Sequence, residues 1–231
     1  MIITVAHQKG GTGKSTLATN ISGMLGATML DLDKQHSSAL WNHVRSMDDE
    51  LESLEINVLK GSGDILPTSK SLSDEEIKLL CQKYKKNPNQ VIVIDTAGFD
   101  AGINRLAIIM ADMVITPVAP SQIELFGLQT FEQIIKEANR SLKCTIPCYV
   151  VLNSVVESSK LHLENVLEWI KGKDTFRLLN ARLGRRVDFQ RAYEEGMTVV
   201  EYNHRNRAAK EMSALVAEIM VELIHEEQIG A

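Results

Sequence analysis

The stretch Ile2-Ile3-Thr4-Val5-Ala6-His7-Gln8-Lys9-Gly10-Gly11-Thr12-Gly13-Lys14-Ser15-Thr16-Leu17 decides the fold. Residues 2–6 form a short apolar run that reads as a buried strand, and residues 15–25 read as a helix that starts on the glycines. Between them, Gly10, Gly11, Thr12 and Gly13 let backbone N–H groups curl around an anion. The helix N-terminus adds its own donors and dipole. Lys14 is placed to reach the β/γ-phosphates of a nucleotide, Ser15 to set its hydroxyl on Mg²⁺, and Thr16 to hold the α-phosphate. A glycine-rich turn alone would be only a turn; here strand, lysine, hydroxyl and helix arrive together. Lys9 is the departure, because the curl does not need it. Read alone, it is equally a solvated lysine beside a polyanion.

Outward from the loop, apolar strands keep alternating with helices. Residues 28–31 make a second apolar run ending in acid, residues 41–47 read as helical, and residues 54–59 as a strand. Residues 60–73 have the Gly, Pro and Ser content of a surface connection. Ser73-Asp74-Glu75-Glu76 matches a capping box ahead of Ile77, Leu79 and Leu80. Residues 91–94 are a β-branched run of the kind found in a central parallel strand. Helices are expected over 103–111, 123–138, 161–170, 187–195 and 207–229, and strands over 114–118 and 146–152. Short strands are expected near Phe176 and Val199. The whole predicts an α/β fold, one domain over residues 1–231, with a parallel sheet covered by helices on both faces.

Composition narrows the classes. Of 231 residues, 44% are hydrophobic and 24% charged, as in an ordinary soluble protein. Aromatics at 5% argue against a base-stacking platform, and a net charge of -5 gives no global pull toward nucleic acid. Cys81, Cys144 and Cys148 are an odd set without CxxC spacing, which suggests neither a disulfide framework nor a zinc site. With no leader-like or spanning apolar run, a cytoplasmic location is expected.

Two acidic positions end strands. Asp95 follows Val91-Ile92-Val93-Ile94, where a carboxylate holds Mg²⁺ through water, and Thr96-Ala97-Gly98 after it is a close turn able to sense a γ-phosphate. Asp31 and Asp33 end the run Met29-Leu30, and either could orient the attacking water or hydrate the metal. Both could instead cap the helix that follows.

With these residues in place, the chain resembles the ParA/MinD family of deviant Walker A ATPases (SIMIBI-type P-loop NTPases), within it the small ParA-type partition ATPases. Lys9 to Thr16 match KGGxGK[ST]T, and Asp31-Leu32-Asp33-Lys34-Gln35 resembles DxDPQ. Residues 91–98 resemble the family's IDT segment, and Thr116-Pro117-Val118-Ala119-Pro120-Ser121 its PV.PS segment. Arg186, Ala192, Gly196, Glu201-Tyr202 and Ala208-Ala209-Lys210-Glu211 resemble its closing pattern. Lys34 replaces a usual proline, Ala97 another, and Glu124 stands where aspartate is frequent. The resemblance implies that Lys9 is the signature lysine, crossing a dimer interface to phosphate bound by the partner. It implies catalytic roles for Lys9, Lys14 and Asp33, and a nucleotide cradle of Lys9, Gly10, Gly11, Thr12, Gly13, Lys14, Ser15 and Thr16. Asn153 would read the adenine edge, although an asparagine after a strand is also a good turn residue. Ser15, Asp31 and Asp95 would make the Mg²⁺ shell. The cofactors are then ATP and Mg²⁺.

The implied function is ATP-dependent DNA partition, with slow hydrolysis stimulated by DNA and a centromere-binding ParB-like partner. An ATP-dependent homodimer, nonspecific DNA and a nucleoid-associated location follow from the same likeness. Between Lys171 and Lys210 there are ten Lys or Arg residues against five Asp or Glu, with Arg182, Arg185, Arg186, Arg205, Arg207 and Lys210 the candidate phosphate contacts. The alternative for this face is intramolecular ion pairing. A MinD-like membrane helix fits poorly: Met212, Leu215, Val216, Ile219, Met220, Leu223 and Ile224 form an apolar stripe, but Glu211, Glu218, Glu222, Glu226 and Glu227 would be repelled by anionic lipid. No stable membrane association is expected. An accessory ATPase for conjugative transfer or cargo positioning would share the same nucleotide chemistry.

Overall fold

Neighbouring residues of the central strands face opposite ways, and both directions lead into apolar core. In the computed structural model, which describes residues 1–61, 66–87, 89–98, 102–156 and 160–230, Ile3 and Val5 of β1 (Ile2–Val5) enter one core and Ile2 the other. The same split occurs in β5 (Ile92–Asp95), β6 (Met113–Val118) and β7 (Cys148–Val155). A strand buried on both faces must be apolar throughout, which is the pattern expected of a parallel sheet between helix layers.

With β2 (Thr28–Asp31), β3 (Ile56–Leu59), β4 (Ser69–Leu72) and β8 (Arg177–Gly184), these strands form one sheet in the order β4-β3-β2-β5-β1-β6-β7-β8. All neighbours pair in parallel. The chain crosses to either side of β1, and the crevice above the carboxyl ends of such strands is where ligands settle.

One layer contains α1 (Lys14–Leu25), α2 (Ser37–Arg45), α7 (Val187–Glu194), α8 (Val199–Asn203) and α9 (Arg207–Gly230), joined through Leu17, Ile21, Trp41, Met212 and Leu215. The other contains α3 (Asp74–Lys85), α4 (Gly102–Met110), α5 (Gln122–Leu142) and α6 (Lys160–Lys171). The Ser73 capping box is present: its hydroxyl accepts from the Glu76 amide while Glu76 accepts from the Ser73 amide.

Three expectations need correction. Residues 60–73 contain β4, a polar edge strand in which only Leu72 is buried; residues 62–65 lie outside the described set. Val199 begins a helix, because Thr198 and Glu201 form a second capping box that overrides the strand preference of two valines. α2 starts at Ser37 instead of residue 41, for a reason that lies in the site below.

α9 packs as a core helix. Met212, Leu215, Val216, Ile219 and Leu223 are buried, and Ile224 is exposed. Its glutamates are committed to β8 and β7. Glu218 accepts from the Asn180 and Ala181 amides and Glu211 from that of Gly184, all in the stretch where the β7–β8 register shifts. Glu222 and Glu226 accept from the Tyr149 hydroxyl. The Glu227 side chain lies outside the described residues. Among the described residues no helix is long and apolar enough to cross a membrane.

Arg45 fastens α2 to the α7–α8 connection: it is buried, pairs with both Glu201 oxygens and donates to the Gly196 carbonyl. Gly196 has φ 68°, and a Cβ there would meet the Arg45 amide nitrogen at 2.4 Å. Gly196→Ala is therefore expected to destabilise the protein by about 1–3 kcal/mol, read as a lower urea midpoint at unchanged slope.

Candidate nucleotide-binding site

β1 delivers the loop to the crevice and α1 receives it, with Gly13 at φ 93° as the N-cap. The first-turn amides of α1 thus lack a side-chain cap and face the loop, as an anion site requires. Lys14 is buried, and its ammonium donates to the Lys9 carbonyl at 3.0 Å, crossing the mouth of the loop where phosphate oxygens would otherwise receive it. Burial is the main reason that its pKa falls, against the opposing pull of Asp95, Asp33 and Glu124.

Lys9 points away from its own loop. Its ammonium forms a close ion pair with Glu124, on the first turn of α5 behind the Ser121 N-cap. The lysine side chain is 40% exposed and the glutamate 11%. Behind them is His7, which sequence reading passed over. Its Nδ1 accepts from the Lys9 amide at 3.2 Å and its ring stacks on Phe131. Burial, then Lys14 and Lys9, push the His7 pKa down to about 4, so a neutral imidazole supports the loop.

Asp31 and Asp95 are register partners at the ends of β2 and β5, and both are fully buried. Asp31 Oδ1 accepts from the Asp33 amide and Oδ2 from the Ala39 amide, each at 3.0 Å. The Ser38 hydroxyl donates to Asp95 Oδ2 at 2.7 Å, while Asp95 Oδ1 is buried without a partner. These bonds draw α2 back to Ser37, and Ser38 is a second residue that sequence reading missed. They also give Asp31 part of the helix-capping role left open for it. Burial first, and the neighbouring carboxylate for Asp95, raise the two pKa values to about 6 and about 7.

These features fit a cation. Two desolvated carboxylates lie side by side, one Asp95 oxygen is without a partner, and the Ser15 hydroxyl favours ionised Asp95. No three His, Cys, Asp or Glu side chains are arranged as a metal cage among the described residues. A hard cation here would need phosphate oxygens and water, which suits Mg²⁺.

Two cavities meet at the loop. One, of about 700 Å³, is lined by Gly10, Lys14, Ser15, Asp33, Lys34, Gln35, Ser37 and Gly98. Asp33 faces it while accepting from the Gln35 amide. The second, of about 350 Å³, lies between the loop and Asn153, Leu183, Arg185, Arg186 and Phe189, and has the size of a base-and-sugar pocket. Asn153 donates to the Thr12 carbonyl at 2.8 Å, so its amide already braces the loop. Gly10 through Thr16, Asp31, Asp33, Asp95 and Asn153 are thus brought together at one crevice, whereas the Lys9 side chain turns out of it to Glu124.

The basic segment divides. Arg186 and Arg207 lie against Glu211, and Arg177 pairs with Glu226. Arg182, Arg185, Arg205 and Lys210 are exposed.

A family model described as "ATPase MipZ" matches residues 1–143. A "ParA family protein" of Mycoplasma pneumoniae is 27% identical over 214 residues, covering 75% of this chain and 77% of its own. "Maintenance of carboxysome distribution protein A" of Halothiobacillus neapolitanus is 25% identical, covering 94% and 95%. Among solved structures, a variant of McdA from Cyanothece in complex with ATP superposes at a TM-score of 0.69 with 13% identity, covering 94% and 95%. That likeness extends to the P-loop NTPase fold shared by this chain.

The raised carboxylates give a signed expectation. A folded-state pKa near 7 against 3.8 for an ordinary Asp means that the folded state binds the extra proton. Asp95 therefore loses the protein stability as pH rises between those values. In metal-free buffer, Asp95→Asn should gain melting temperature relative to wild type as pH goes from about 5 to about 8. Mg²⁺ with nucleotide should raise the wild type more than the variant.

Proposed function

The chain belongs to the MipZ family of ATPases within the ParA/MinD group, and from this we propose that it is an ATP-dependent DNA partition ATPase. ATP binding brings two copies face to face around two nucleotides and creates a DNA-binding surface. Hydrolysis to ADP and phosphate resets the dimer, slowly alone and faster with DNA and a centromere-binding ParB-like partner. The observation that carries this reading is Lys9, whose side chain is 40% exposed and held by Glu124 of α5 instead of by its own loop. A lysine serving only its own phosphate would turn inward, as Lys14 does.

Lys14 neutralises the β/γ-phosphates, Ser15 contributes its hydroxyl to Mg²⁺, and Asp31 and Asp95 hold that ion's water shell. Bound Mg²⁺ supplies charge neutralisation as the phosphoryl bond breaks. Asp33 orients the attacking water from the phosphate cavity, and Asn153 meets the base after yielding the Thr12 carbonyl. Arg182, Arg185, Arg205 and Lys210 supply salt-sensitive, sequence-independent phosphate contacts. Arg186, bound to Glu211, belongs to the frame of this surface, while Arg207, mostly exposed, remains a candidate phosphate contact. The burial of the apolar stripe of α9 against the sheet opposes a MinD-like lipid contact. The relative named for carboxysome distribution supports a second reading, with the same switch moving a protein cargo.

Sedimentation and DNA retention with ATP, ADP and no nucleotide test the proposal. Wild type should dimerise and retain DNA only with ATP, and Lys9→Ala should do neither. Arg182→Ala/Arg205→Ala should dimerise normally but lose about one to two units of salt slope in DNA binding. ATP-dependent dimerisation without DNA retention would discard partition and leave the cargo reading. Glu124→Gln, which loosens the hold on Lys9, should reach half-maximal dimer at lower protein concentration, by about threefold to tenfold; an unchanged midpoint would remove Glu124 from the switch.

A further inference from the structure

We propose that Tyr193 is a positioning residue for hydrolysis: its hydroxyl holds the first turn of α2, and with it the Asp33 segment, in register with the phosphate loop. The inference rests on the ATPase reading of this site.

Four residues border both cavities of the crevice: Gly11, Gly13, Thr16 and Tyr193. The first three belong to the loop and its helix. Tyr193 is the contribution of a distant element, α7, and its half-buried ring forms a wall between the base-side space and the space faced by Asp33. Its hydroxyl donates to the Ser37 carbonyl at 2.6 Å. Ser37 is the first residue of α2, and the next two residues are those gripped from the sheet, Ser38 by Asp95 and Ala39 by Asp31. Three successive residues are therefore fixed from α7, β5 and β2.

The turn that carries Asp33 hangs between two fixed ends. β2 ends at Asp31, and the chain reaches Ser37 through Asp33, Lys34, Gln35 and a left-handed His36 at φ 49°. Within it, Asp33 accepts from the Gln35 amide through its side chain and from the His36 amide through its carbonyl, its own amide donates to Asp31, and Leu32 donates to the Asp95 carbonyl. The placement of Asp33 toward the phosphate cavity is thus set from both ends, by the sheet through Leu32 and Asp31 and by the start of α2 through His36. Asp31 and Asp95 fix that start relative to the sheet, and Tyr193 fixes it relative to the wall of the base-side cavity. A nucleotide filling that cavity lies against the Tyr193 ring and limits its movement. Occupancy is thereby transmitted to the segment that must orient water. Burial and the nearby Asp95 push the phenol pKa upward, so the hydroxyl remains a donor.

Tyr193→Phe keeps the ring and removes the donor. Its melting temperature, Kd for a fluorescent ATP analogue with Mg²⁺, and kcat at saturating ATP should be compared with wild type and with Lys14→Ala. The expected result is a Kd within about twofold of wild type, an unchanged melting temperature and a kcat lower by about fivefold to tenfold. An unchanged kcat overturns the proposal. So does a fall in melting temperature with Kd and kcat worsening together, the signature of a general structural role. Wild type that neither binds nor hydrolyses ATP above the Lys14→Ala level would instead overturn the ATPase reading.

Discussion

Two carboxylates share a dry position at adjoining strand ends, and most of the site is arranged around that cost. Asp31 and Asp95 cannot both be ionised comfortably beside each other without donors or a cation. The protein answers with the first turn of α2, whose amide and hydroxyl donors would themselves be unsatisfied at a buried helix start. Each side solves the other's problem. The helix begins where the acids need it, and the acids remain incompletely satisfied, since one Asp95 oxygen has no partner.

The lysines of the loop show the complementary arrangement. Lys14 is turned onto a backbone carbonyl of its own loop, a weak substitute for phosphate. Lys9 is attached to α5, outside the loop altogether. Both cations are held by contacts that a polyanion can outcompete, while neutral His7 maintains the backbone beneath them. The loop is consequently preorganised in its backbone and adaptable in its charges, which is a favourable division for a site that must bind and release.

Much of this architecture was legible in the amino acids. β1, β5 and β6 announce themselves because strands covered on both faces must be apolar, and α3 because its capping box is a local signal. The phosphate loop is also local, with its chemistry contained in eight consecutive residues. What escaped detection depends on distance. β4 is polar because one of its sides is free, so periodicity finds nothing to follow. Val199 and Val200 are the exception, a local miss, since the strand preference of two valines hides the capping box of Thr198 and Glu201 around them. Ser38 and Tyr193 carry no motif; their partners lie 57 and 156 residues away. The basic segment was readable as charge, but the assignment of Arg186 to Glu211, 25 residues on, required the fold.

The glutamates that α9 sets against β8 also have a consequence for the edge of the sheet. Glu211 and Glu218 bond backbone amides of residues earlier in the chain, the Asn180 amide preceding Glu218 by 38 positions. Whenever α9 is not packed, β8 can pair with β7 while those amides stay bare. Such an edge invites pairing with another chain. Closing it falls to α9, whose glutamates occupy the Asn180, Ala181 and Gly184 amides, so this edge of the sheet is guarded by a helix that follows it in the chain.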